Sequence, residues 1–108
     1  MVYAVQFTIA ARQDLRGIRS YIAEHDSPAK ADYVVRAIIR IAMSLRELPF
    51  RGALVPELEQ YEKPDFRQIF FKPYRIFYRV MDANVYVALV ADGRRDMVTL
   101  LARRLTQP

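Results

Sequence analysis

The sequence predicts an α+β fold in the order β-α-α-β-β-β-α, with a helical hairpin packed on one face of a small, mostly antiparallel sheet. Three observations predict it. Two apolar stripes at helical spacing follow one another with only Ser27-Pro28 as a break between them. Three runs rich in β-branched and aromatic residues come next, joined by short turns. A last apolar stripe, Met97, Leu100, Leu101 and Leu105, implies a short final helix. A chain of 108 residues is a single domain, spanning 1–108.

Each element has its own local reason. Residues 2–7 form a short β-branched and aromatic run, read as a strand. Thr8 then offers an N-cap oxygen, and Ala11, Leu15, Ile18 and Ile22 lie on one helical face, with Arg12, Arg16 and Arg19 off it. This helix should end near Glu24-His25-Asp26. Gly17 interrupts it at a cost of about 1 kcal/mol relative to alanine, and close approach of a second helix is the expected compensation. Ser27 and Pro28 form an N-cap and a first helical position. The stripe Ala31, Val34, Val35, Ile38, Ile41, Ala42, Leu45 and Leu48 then predicts a helix of about 20 residues running to Pro49. The tight turn between the helices makes them an antiparallel hairpin.

Residues 50–65 read as a long connection, with Gly52, Pro56 and Pro64 and an acidic patch at Glu57, Glu59 and Glu62. Strands are expected at 66–71, 74–81 and 85–91, with Lys72-Pro73 and Asp82-Ala83-Asn84 as turns. Short turns make these an antiparallel meander. The first strand can pair at either side of it. On the central strand Ile76, Tyr78 and Val80 alternate with Arg75, Phe77 and Arg79. The first set reads as core under the hairpin. The second set then faces the other way, as a basic, aromatic surface.

Composition excludes several classes. The absence of cysteine rules out disulfides and thiolate metal sites. The N-terminus lacks the basic region and long apolar core of a signal peptide, and the longest apolar run, 85–91, is too short to span a bilayer. A soluble cytoplasmic protein without a membrane partner is expected. Charge is segregated. Residues 67–108 hold eight Arg or Lys against three acids and carry the whole net charge of +5, while residues 1–66 are balanced. Fourteen of the 17 cations are arginine, suited to bidentate contact with phosphate or carboxylate. Arginines among aromatics on strands suit an anionic partner, a nucleic acid included. A plain solvated cationic face has the same composition.

Catalysis finds little support in the residues. Ser20, Ser27 and Ser44 all fall on or cap the hairpin, and His25, the single histidine, sits at its turn. Asp92 and Asp96 are four apart but surrounded by arginine, and Asp96 suits a helix N-terminus better than a metal. No metal and no cofactor are expected. Metal-free RNA cleavage needs a proton acceptor, a proton donor and cations. Arg67, Arg75, Arg79, Arg94 and Arg95 can supply the cations. Arginine gives up no proton near neutrality, and Tyr74, Tyr78 and Tyr86 would need help to do so. No catalytic residue is therefore assigned.

The chain resembles the RelE/ParE family of bacterial type II toxins. The resemblance rests on Phe7-Thr8, Asp14-Leu15, Tyr21-Ile22-Ala23-Glu24, Ser27-Pro28, Leu48-Pro49, Arg51-Gly52 and Val55-Pro56-Glu57-Leu58. It continues through Arg67-Gln68-Ile69, Pro73-Tyr74-Arg75-Ile76-Phe77-Tyr78, Asp92-Gly93-Arg94-Arg95-Asp96 and Arg103-Arg104-Leu105. The Pro-Tyr-Arg-Ile strand and Gly-Arg-Arg-Asp turn are most similar to the ParE branch. That resemblance implies a RelE/ParE-like fold and a toxin that poisons DNA gyrase. It also implies neutralisation by a cognate acidic antitoxin in a hetero-oligomeric complex. The RelE branch instead cleaves mRNA on the ribosome, with sheet arginines and a C-terminal Tyr or His. Arg67 and Arg94 or Arg95 match the arginine positions, but 97–101 hold neither Tyr nor His. A nontoxic relative that only binds an antitoxin is the third expectation. Arg67, Arg75, Arg79, Arg94 and Arg95 are the expected target- or nucleic-acid-binding residues.

Overall fold

The computed structural model describes residues 2–61 and 65–105. The chain begins with strand β1 (Ala4–Phe7), followed by helices α1 (Ile9–His25) and α2 (Pro28–Met43). Strands β2 (Ala53–Leu54), β3 (Phe66–Phe71), β4 (Tyr74–Met81) and β5 (Asn84–Asp92) follow, and helix α3 (Met97–Leu105) ends the order. The caps are local. Thr8 Oγ1 accepts from the Ala11 N–H at 3.1 Å, and Ser27 Oγ accepts from the Lys30 N–H at 3.0 Å. Each satisfies an amide that the first helical turn leaves unpaired. Arg19 of α1 pairs with Asp32 of α2 and ties the hairpin together.

The sheet order is β1-β5-β4-β3-β2. The meander β3-β4-β5 is antiparallel, and β1 lies parallel to β5, from Ala4 opposite Asn84 to Phe7 opposite Val87. The first strand therefore pairs on the β5 side. Four expectations needed correction, three of them local to the hairpin and the connection after it. The second helix is shorter than about 20 residues: Ser44 Oγ donates back to the Ile41 carbonyl at 2.6 Å, and a 3₁₀ turn over Ser44–Arg46 follows. Leu45 stays in the core, but Leu48, past the helical register, is exposed. The connection at 50–65 contains β2, whose two residues pair with Gln68 and Arg67, and a 3₁₀ turn over Pro56–Tyr61. Two residues are too few for a periodic signal. Glu62 and Pro64, which the sequence groups into this connection, lie outside the described residues. Gly17 meets no second helix: a Cβ built there finds nothing within 4 Å.

Both faces of the sheet are covered. On one, Ile22, Val34, Ile38 and Leu45 pack against Ile69, Ile76, Tyr78, Val85, Val87 and Val90. On the other, Met97, Leu100, Leu101 and Leu105 of α3 join Val55 and Leu58 against Phe66, Phe77, Leu89 and Ala91. The expected open basic, aromatic face is thus corrected at its centre, where Phe77 is fully buried. The α3 stripe needs an apolar partner, and this face of the sheet is the one the hairpin leaves free. Burial on both sides explains why β5 reads as a continuous apolar run.

A β-bulge shapes β5. Phe77 faces Leu89 while Tyr78 faces Val87, which leaves Ala88 as the extra residue. The extra residue inverts side-chain parity. Val85 and Val87 join the hairpin core before it, and Val90 joins the same core after it. Beyond Val87, β1 no longer covers the edge of β5. There the Asp14 carboxylate accepts from the Val90 N–H at 3.0 Å, and Arg104 donates to the Ala88 carbonyl at 3.1 Å. The same two side chains pair fork to fork at 3.0 Å and 3.0 Å. One ion pair thereby joins α1, β5 and α3.

Candidate functional site

The five candidate arginines separate into two groups. Arg67 of β3 donates to the carbonyls of Phe50 and Gly52, at 3.2 Å and 2.7 Å, and lies over the Phe50 ring. Arg75 of β4 holds both oxygens of Glu57, at 2.8 Å and 3.0 Å, and reaches Gln68 Oε1 at 2.9 Å. Its guanidinium sits 4.8 Å from the centre of the Phe77 ring. Arg79 of β4 pairs with Asp65 over the Phe66 ring. Strand alternation does put Arg75 and Arg79 away from the hairpin, as the sequence predicts. There they bind down the chain between α2 and β3. Glu57 is accordingly held below the ordinary carboxylate range, chiefly by its hydrogen bonds from Arg75 and against the opposing effect of burial.

Arg94 and Arg95 lie elsewhere, in the turn from β5 to α3. That turn is built from its own acids. Asp92 accepts from the Arg94 backbone N–H and from its guanidinium, through Nε at 2.9 Å and Nη2 at 2.6 Å. Arg94 thereby holds the Asp92 carboxyl below its usual range. Asp96 accepts from the Thr99 N–H and hydroxyl, which caps α3 and lowers its own pKa. The Gly93 N–H donates to the Pro73 carbonyl at 2.8 Å, and a Cβ on Gly93 would stand 3.1 Å from that oxygen. The close approach presses the turn against the start of β4. The Arg94 side chain remains 80% exposed, and Arg95 is exposed as well.

A groove of about 600 Å³ runs between this turn and α1, lined by Gln13, Gly17 and Tyr21 on one side and by Tyr74, Asp92 and Arg95 on the other. Gly17 therefore opens onto a groove rather than onto a helix. Burial, then the negative charge of Asp92, pushes the Tyr74 phenol above its ordinary pKa. A phenol so placed stays protonated and is a hydrogen-bond donor rather than a base. Tyr78 is fully buried, its hydroxyl accepts from the Gly52 N–H at 2.9 Å, and burial raises its pKa too. Tyr86 is half-buried on β5. Ser27 caps α2, Ser44 ends it, and His25 lies at the end of α1, against Tyr21. The arrangement can bind anions and donate hydrogen bonds through Arg94, Arg95 and Tyr74.

Sequence reasoning missed a second feature at the tip of the hairpin. Tyr21, His25 and Tyr33 come from the helices, and Phe71 and Tyr74 from the strands, around a recess of about 370 Å³. The available signal was that Tyr21 and Tyr33 stand off their apolar stripes near one turn.

Comparison with known proteins follows the same outline. The solved structure of the chromosomal ParDE TA system from P. aeruginosa contains a chain that superposes with a TM-score of 0.71 at 22% identity, covering 84% of this chain and 96% of that one. A chain of the toxin-antitoxin complex RelBE2 from Mycobacterium tuberculosis gives 0.62 at 24% identity, covering 85% and 99%. A mutant of the E. coli toxin RelE in the free state gives 0.61 at 19% identity, covering 97% and 99%. At such identities these likenesses concern the fold. No curated protein matches the sequence. Residues 5–97 match the family described as the ParE toxin of the type II toxin-antitoxin system parDE. That match takes in both helices of the hairpin, the Arg94-Arg95 turn and all of the sheet but Ala4, and the chain belongs to the ParE toxin family.

Proposed function

We propose that this toxin inhibits bacterial growth by binding and poisoning DNA gyrase in the cytoplasm, without catalysis of its own, and that a cognate acidic antitoxin neutralises it. The observation that carries this reading is the fate of the arginines. Arg67, Arg75 and Arg79 are engaged within the fold, and Arg94 and Arg95 stand exposed beside a Tyr74 that keeps its proton. Exposed cations on a rigid turn suit docking. A plasmid-stabilising role fits a toxin of this kind. Purified toxin is expected to block gyrase supercoiling or to trap cleaved DNA. Folded toxin that does neither at stoichiometric excess refutes the proposal.

Charge supports the antitoxin partner, since a +5 chain attracts an acidic one. A groove of about 440 Å³ lies where the outer side of β1 meets the hairpin, lined by Val5, Phe7, Leu15, Ile39 and Met43, with Arg12 at its rim. An amphipathic acidic segment suits it, as an added strand or a docked helix. The second reading is a ribosome-dependent mRNA endoribonuclease. The fold similarity to RelE over 97% of this chain favours it. It requires transcripts cleaved in translating extracts and protected by Arg95→Ala. Intact transcripts during growth arrest exclude it.

A further inference from the structure

Five aromatic rings meet at the hairpin tip, and two of them are spent on little else. Tyr21 and Tyr33 are 63% and 61% exposed. Tyr21 is stacked on His25 with ring centres 4.2 Å apart, and Tyr33 meets Phe71 edge to face. With Tyr74 these rings line the recess of about 370 Å³. Lys30 and Lys72, both exposed, stand among its walls with Asp26 as the one acid of its described lining, while Asp14 and Asp92 of the adjoining groove are paired with Arg104 and Arg94. The recess does not end there. Tyr21 and Tyr74 also line the neighbouring groove of Arg94 and Arg95. A continuous path therefore leads from stacked rings and lysines to the two exposed arginines.

We infer that this path is a binding site for single-stranded DNA. Bases offer flat faces to Tyr21, Tyr33 and Tyr74, and the backbone phosphates meet Lys30, Lys72 and Arg95. Rings that accept any base, alternating with cations that follow the backbone, are the physical requirements of single-strand binding. Duplex DNA keeps its bases stacked inside and has no faces to offer. Among the described residues the recess is lined by no Asn, Gln, Ser or Thr and the adjoining groove adds Gln13 alone, so few side chains are there to read base edges. Rings and cations make no demand on a 2′-hydroxyl, so DNA of loose sequence preference meets every contact the path offers. This site lies apart from the arginines of β3 and β4, and its test contains no gyrase.

The test is fluorescence anisotropy of a labelled oligothymidine with the purified full-length toxin. Tyr33→Ala and Tyr21→Ala should each weaken binding at least about fivefold, as loss of one stacked base does. Lys72→Gln should lower the slope of log affinity against log salt by about 0.7, one phosphate contact on a single strand. Asp26→Asn should tighten binding. All four are surface changes, and thermal melts verify the fold of each variant. Arg103→Gln, exposed on α3, is the control and should change affinity less than any of them. Equal loss in Arg103→Gln and Tyr33→Ala overturns the site in favour of diffuse charge. So does duplex DNA bound as tightly as the single strand, or a polyglutamate peptide that displaces the oligonucleotide from wild type and Tyr33→Ala alike. Preference for the matching RNA overturns the assignment to DNA.

Discussion

Replacing Asp14 with alanine removes a carboxylate that joins three elements, and its cost can be worked from its contacts. Asp14 receives two hydrogen bonds from Arg104 and one from the Val90 N–H, all at 3.0 Å. Its side chain is 18% exposed and that of Arg104 is 23% exposed. Removing one partner of a buried pair costs about 3–5 kcal/mol, and leaving a buried N–H unsatisfied costs about 1–3 kcal/mol. The two overlap here, and residual exposure lets water repay part of each. About 3 kcal/mol is the expected loss for Asp14→Ala, and about 2 kcal/mol for Arg104→Ala, which orphans a carbonyl instead of an amide. Domains of this size are stabilised by about 5–15 kcal/mol, so either loss is large. The double variant should cost less than the sum of the singles by at least about 1 kcal/mol. Urea denaturation measures all three, with an unchanged m value as the sign that only stability moved. Hydrogen exchange adds a local readout, because the Val90 amide should lose protection first. Single costs under about 1 kcal/mol that simply add would refute the reasoning and make the pair an ordinary surface contact.

Other outcomes follow from single positions. Gly52→Ala should destabilise by about 1–3 kcal/mol in urea melts, because its Cβ would stand 2.7 Å from both the Gln68 carbonyl and the Tyr78 hydroxyl. Gly17→Ala should instead stabilise by about 0.5–1 kcal/mol, since its Cβ meets nothing and the helix gains a better former. A weakened affinity for a partner in that more stable variant, measured by calorimetry, would show that the groove over Gly17 is occupied in the complex. Glu57 has a folded pKa below its ordinary value of 4.5, so its contribution is present above that value and is lost as pH falls through the folded one. The stability gap between wild type and Glu57→Gln, from urea melts across pH, should therefore close on the acid side. Tyr78 has the opposite sign. Its raised pKa contributes stability below the ordinary value of 10.0 that is lost as pH rises through the folded one, and Tyr78→Phe should flatten that alkaline limb.

Local order was legible in the sequence because it rests on neighbours. The α1 stripe, the Thr8 and Ser27 caps, the three meander strands and the acid at the start of α3 all depend on residues within a turn or two of each other. The family resemblance was legible for the same reason, as short motifs in a fixed order. The candidate site was only partly so. Arg94 and Arg95 stand exposed in a turn that the Asp-Gly-Arg-Arg-Asp motif marks, with its acids as the braces. Arg67, Arg75 and Arg79 have the same composition and a different fate, decided by Glu57, Asp65 and two carbonyls that the chain brings back from 14–18 residues away.

The sequence by itself determined the three helices and the four longer strands, where the charge lies, and to which family the motifs point. Tertiary structure decided everything that depends on distant partners. It placed β1 beside β5, folded α3 over Phe77, and gathered rings from two helices and two strands at the hairpin tip. Periodicity is a property of bonds along the chain, so it can be read in order. Burial and pairing belong to chain segments that meet only after folding, as Asp14 and Arg104 do across 90 residues.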